Sequence, residues 1–173
     1  MIARRTFRAL GADRSGAAAV EMALVAPFLI LIMFGSAELG RYFYHEHVLV
    51  KAVRDGAVFA ARFPIDKFNC TAKTIDSAVV TNTRSLVRTG GLSGQADLLP
   101  WWNETGASFI MTLACTTTAG GQTMQGIYTA NGGKVPVVTI TATLPFRPLL
   151  TTAGFSRTSY NLNASQQTAV LGI

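Results

Sequence analysis

The chain has 173 residues, of which 49% are hydrophobic and only 14% charged, against about 25% charged in an ordinary soluble domain. That balance excludes a disordered protein, and two cysteines are too few for a disulfide-dense miniprotein or a zinc finger. The net charge of +6 is no nucleic-acid signature, because half of it falls in the first 16 residues, where Arg4, Arg5, Arg8 and Arg14 meet only Asp13. No dense basic run follows, so no nucleic-acid partner is expected, and the basic N-terminus points to a membrane surface.

Ala17–Ala37 reads AAAVEMALVAPFLILIMFGSA, with Glu21 as its one charge and Pro27 as its one proline. As a helix it is about 30 Å long, the thickness of a hydrocarbon core. Arginines ahead of it favour a cytoplasmic N-terminus and an exported C-terminal part, as in a single-pass inner-membrane protein. The alternative is a cleavable secretory signal ending near Gly35-Ser36-Ala37. Such a leader exceeds the usual length of about 15–30 residues, and Glu21 would weaken its apolar core. A retained anchor is therefore expected. A carboxylate within a span costs about 2.5–3.5 kcal/mol on insertion scales, less near an interface or when paired. Cleavage after Gly16 would create an amine at Ala17, about one helical turn before Glu21.

The run Arg14-Ser15-Gly16-Ala17-Ala18-Ala19-Val20-Glu21-Met22-Ala23-Leu24-Val25-Ala26-Pro27 resembles the start of the TadE-like family of pseudopilins, in the tight-adherence (Flp) branch of type IV pili. The resemblance continues through Glu38-Leu39-Gly40-Arg41 and Ala52-Val53-Arg54-Asp55-Gly56-Ala57, and returns as a pattern over Val135–Leu149. One departure is Met22, where the family often has an aromatic residue. The resemblance implies that a prepilin peptidase cuts between Gly16 and Ala17 and that Glu21 helps the mature subunit enter a filament. It further implies a minor pilin or pseudopilin of a tight-adherence pilus, serving surface adherence. The implied partners are the inner membrane, a prepilin peptidase, other pilin and pseudopilin subunits and the tight-adherence assembly machinery; the final location would be the pilus or cell surface. A permanently membrane-anchored envelope domain that binds an extracellular ligand is the alternative.

Beyond Ala37 the helical pattern is expected to run to about Arg62, where Phe63-Pro64 ends it. Leu39, Phe43, Leu49, Val53 and Phe63 approximate one apolar face, with Arg41, Lys51, Arg54 and Asp55 among the soluble-side residues. Ala52, Gly56 and Ala60 recur every four residues and form a stripe with almost no bulk. Such a stripe admits close packing by the globular part or by a neighbouring subunit. A second helix is expected over 71–88, with Ile75, Val79, Leu86 and Val87 inward and Gly90-Gly91 as its stop. The segment 90–107, with Trp101 and Trp102, reads as a loop. Ser108–Thr118 alternates as a strand, Gln125–Thr129 as a short one, and Asn131-Gly132-Gly133 as a hairpin signal. Lys134–Phe146 is the clearest strand, and Ser159–Ala169 a weaker last one.

The expected class is α+β: a long N-terminal membrane-inserted pilin-like helix, a second short helix and a small antiparallel β-sheet head. The expected organisation is a leader over 1–16, a transmembrane segment over 17–37, an exported continuation of the helix over 38–63 and a globular head over 64–173. Cys70 and Cys115 fall on the oxidising, exported side, where a disulfide between them would staple helix to sheet. Trp101 and Trp102 either cap the sheet core, at least one of them inward, or contact a partner. His45-Glu46-His47 places its histidines on different sides of a helix, so solvated helix surface is expected rather than a metal site. No hydrolase, zinc-protease or phosphate-loop motif occurs. No cofactor and no enzymatic activity are expected.

Overall fold

The computed structural model describes residues 15–117, 121–149 and 160–172. Contacts divide the chain after Gly40 into two units. The first helix, α1 (Ser15–Ala61), begins in the first unit and ends in the second. In the first unit α1 carries Pro27, which lacks an amide hydrogen and removes one rung of helical bonding.

The second unit starts at Arg41, so the last turns of α1 belong to the same compact body as the sheet. α1 stops at Ala61, ahead of Phe63-Pro64. Two-residue strands β1 (Phe68–Asn69) and β2 (Thr74–Ile75) pair antiparallel, Phe68 opposite Ile75. The second helix, α2 (Ser77–Thr89), follows. Strands β3 (Ser108–Thr116), β4 (Val135–Pro145) and β5 (Asn161–Ala169) form an antiparallel sheet in the order β3-β4-β5. Register runs from Ser108 opposite Thr143 to Thr116 opposite Val135, and from Val137 opposite Ala169 to Pro145 opposite Asn161.

β4 is the centre of the sheet, paired on both sides, and its alternation is the cleanest. Val138, Ile140, Ala142 and Leu144 point inward and are fully buried. The threonines between them lie on the other face, and two of them bond across to β5: Thr143 Oγ1 donates to Asn163 Oδ1 at 2.9 Å, and Thr141 Oγ1 meets Ser165 Oγ at 3.2 Å. The core joins this inner face to Leu49, Ala52, Val53, Ala57 and Ala60 of α1, Val79 and Val87 of α2, and Leu162 of β5. The architecture is α+β, with one long apolar helix, one short helix and small antiparallel sheets.

Three local expectations need correction. The second helix begins at Ser77 rather than 71, because Asp76 caps it by accepting the Ala78 amide at 2.8 Å. Lys73, at φ 54°, turns the preceding hairpin, and Ile75 belongs to β2. The Ala78 amide, and then Lys67, whose Nζ lies 3.0 Å from Asp76 Oδ2, hold the Asp76 carboxyl below its usual pKa. The segment Gln125–Thr129 is no strand. Gly126–Asn131 forms a 3-10 turn, in which Thr129 Oγ1 bonds back to the Gly126 carbonyl and Gly132, at φ 66°, closes the end.

The third correction concerns the inward face of α1. Leu39 and Phe43 are 55% and 57% exposed, whereas Leu49 and Val53 are buried as expected. Tyr42 and His45 take the inward positions, so the buried face runs Tyr42, His45, Leu49, Ala52, Val53, Gly56. The spacing of three and four is preserved; the choice of starting residue is different. Thr118 and Ser159, included in expected strands, lie outside the described residues.

Candidate functional site

Gly16, Ala17 and Glu21 stand in the first two turns of α1, and all three are exposed. Most of the expected leader, residues 1–14, lies outside the described residues. A Cβ built on Gly16 meets nothing within 4 Å. Glycine costs about 1 kcal/mol relative to alanine inside a helix, and packing gives no reason for it here. From Val20 to Phe34, eleven large apolar side chains are exposed, with Phe28 and Leu31 the most so. Each fully buried side chain of this kind contributes about 1.5–3 kcal/mol. A helix that is apolar all round belongs in lipid or among other helices. α1 is also long and apolar enough to cross a membrane, and its most apolar stretch is wholly unburied.

The small-residue stripe has the opposite environment. Ala52, Gly56 and Ala60 are buried, and a Cβ at Gly56 would collide with Val87 Cγ2 and touch Thr83 Cγ2 at 3.5 Å. The stripe therefore seats α2 of the same chain. Of the two occupants open to it, the globular part is the one present.

At the other end of that face, rings gather around Phe146. Trp101 is 6% exposed, and its ring centroid lies 5.5 Å from Phe146 and 4.8 Å from His45, both edge-on. Tyr42 meets Phe146 edge-on at 5.3 Å and donates through its hydroxyl to the Asn161 carbonyl at 3.2 Å. Arg41 Cζ lies 5.1 Å from the Phe146 centroid, and Arg41 Nη2 donates to the Arg147 carbonyl at 2.8 Å. Arg147 in turn pairs with Glu104 of the tryptophan loop. These contacts fasten the 90–107 loop and the end of β4 to α1.

The two tryptophans diverge. Trp101 is core, while Trp102 is half-buried and lines a cleft beside α2. His45 corrects the expectation of a solvated helix surface: it is half-buried among rings, and its Nδ1 has no hydrogen-bond partner among the described residues. His47 is exposed. Among the described residues no group of three or more His, Cys, Asp or Glu stands ready to hold a metal. Tyr42 and Phe146 were not singled out from sequence, and His45 was expected only on a solvated helix surface. The available signals were helical spacing back from Leu49 and an alternation in β4 that continues one step past Leu144.

Cys70 and Cys115 are bonded, with Cα atoms 5.7 Å apart. Cys70 sits in the β1–β2 turn, where Asn69 Oδ1 accepts the Thr71 and Ala72 amides at 2.9 Å each. The bond ties that hairpin, rather than α2 itself, to β3. A 45-residue separation corresponds to about 4 kcal/mol in the chain-entropy description. Cys70→Ser/Cys115→Ser is expected to lose about 2–5 kcal/mol in urea unfolding. In the wild type, peptide mapping without reductant should recover one linked pair; two alkylatable thiols in protein taken from the cell envelope would contradict the staple.

Residues 16–58 match the family model of TadE-like proteins. The matched segment opens on Gly16, contains Glu21 and the whole exposed apolar stretch, and closes just past Gly56 in the head's core. No curated protein and no solved structure matches the chain. The family match suggests a membrane-associated pseudopilin of the tight-adherence pilus.

Proposed function

We propose that this chain, TadE-like over residues 16–58, is a minor pilin-like, non-enzymatic subunit of a tight-adherence pilus. It inserts through the apolar part of α1, loses residues 1–16 to a prepilin peptidase, and then packs that helix against neighbouring pilin helices. The observation that carries this reading is the coincidence of the family match with the eleven exposed apolar side chains of Val20–Phe34. Lipid covers them before assembly and neighbouring helices cover them afterwards, so the same surface serves both states. The head stays on the exported side, fastened to α1 by Arg41, Tyr42 and Trp101 and braced by its disulfide.

Gly16 supports the processing step, because its missing side chain serves no packing in the fold. A peptidase that must accommodate the residue before the cut supplies the reason for glycine. Gly16→Val is expected to insert normally and remain uncut, accumulating as full-length precursor on immunoblots of the membrane fraction. Processing at the wild-type rate would place the scissile bond elsewhere. Retention of the precursor by the wild type as well would favour the permanently anchored envelope domain.

A further inference from the structure

Between α2 and the start of β3 opens a cleft of about 250 Å³, lined by Arg84, Arg88, Trp102, Ala107, Ser108 and Phe109. The two arginines are four apart on α2 and share a side of the helix, but they are not equivalent. Arg88 is committed: its Nε donates to Asp97 Oδ1 at 2.5 Å, and its Nη2 to Asp97 Oδ2 at 2.8 Å and Asn103 Oδ1 at 3.1 Å. Its charge is neutralised, and its bonds hold the loop that carries Trp102. Arg84 is exposed, with its guanidinium carbon 5.4 Å from the Phe109 centroid, and makes no ion pair among the described residues. The cleft thus offers one uncompensated positive charge, two aromatic rings and the Ser108 hydroxyl.

We propose that this cleft binds a carboxylated sugar ring, the uronic-acid unit of an acidic surface polysaccharide. A planar guanidinium takes a carboxylate through two parallel hydrogen bonds. One free guanidinium balances one negative charge, which suits a uronic acid better than a doubly charged phosphate ester. The volume lies below the range of about 300–1,000 Å³ typical of drug-sized ligands and suits a single ring. Trp102 and Phe109 supply apolar surface for the C–H face of that ring; a bare carboxylate would leave both unused. The site goes beyond the pilus reading and does not depend on it, since none of its residues lies on α1.

The test uses the full chain in detergent micelles, following the Trp102 indole N–H resonance. The probes are methyl glucuronoside, methyl glucoside (ring without charge), acetate (charge without ring) and N-acetylglutamate amide (a peptide-borne carboxylate). The glucuronoside is expected to shift the resonance saturably, with each of the other three binding roughly tenfold or more weakly. Arg84→Gln, at an exposed position, should weaken glucuronoside binding by about tenfold while leaving the core resonances in place. Phe109→Leu should weaken it several-fold, because it removes both the ring face and the seat of the Arg84 guanidinium. The proposal is overturned by the absence of saturable binding, by equal binding of acetate or the glutamate derivative, or by an Arg84→Gln protein that binds like wild type.

Discussion

Glu21→Ala is expected to insert in the membrane at least as well as wild type, to be cut after Gly16, and to lose its association with partner pilins. Removing a carboxylate removes a desolvation cost of about 2.5–3.5 kcal/mol, so insertion has nothing to lose. Cleavage is untouched because the acid lies five residues beyond Gly16 in α1, an exposed position with no part in the fold of the head. Assembly differs. On the proposed reading, loss of the leader brings the Ala17 amine into an apolar bundle, with Glu21, one turn away on its own or a neighbouring helix, as its partner. Breaking such a pair by removing one member costs about 3–5 kcal/mol, a reduction of more than a hundredfold in association. Glu21→Gln keeps the shape and loses the charge, and should fall between the two. The measurement is site-specific cross-linking and co-purification from membranes, alongside pilus counts. Wild-type association by Glu21→Ala would reject the charge-pairing mechanism.

Phe146→Ala is expected to cost the head about 3–5 kcal/mol, a large share of the total stability of an ordinary domain, about 5–15 kcal/mol. Phe146 is 2% exposed, and its ring contacts Tyr42, His45, Trp101 and the Arg41 guanidinium. The rings around it gain about 0.5–1.5 kcal/mol per favourable pair beyond their buried area. Losing the central ring therefore loosens the 90–107 loop as well as the end of β4. Phe43→Ala is the control: at 57% exposure it should change urea stability by no more than about 0.5 kcal/mol. Comparable losses at both positions would show that α1 buries a different face from Tyr42, His45 and Leu49.

The contrast between Phe43 and Phe146 also marks where the sequence was legible. β4 could be read almost residue by residue, because Val138, Ile140, Ala142 and Leu144 alternate with threonines and period two has one solution. The apolar span was equally plain. The inward face of α1 was not, since Leu39 and Phe43 are as apolar as Leu49. A helix that passes from an all-apolar segment into an amphipathic one gives no hydropathy cue to where the narrow face begins. His45 reads as polar yet packs as a ring. The start of α2 was missed because a hairpin of two-residue strands carries almost no periodicity, and only the Asp76 cap marks the boundary. The cleft at Arg84 depends on residues from α2, the tryptophan loop and β3, a juxtaposition that no local pattern encodes.

The proposed function turns on one chemical event, removal of residues 1–16. The intact mass of the chain purified from membranes of a cell with a working prepilin peptidase measures that event directly. A mature protein that begins at Ala17 is the expected result. Recovery of the chain with Met1 still attached, in cells that assemble pili, would contradict it.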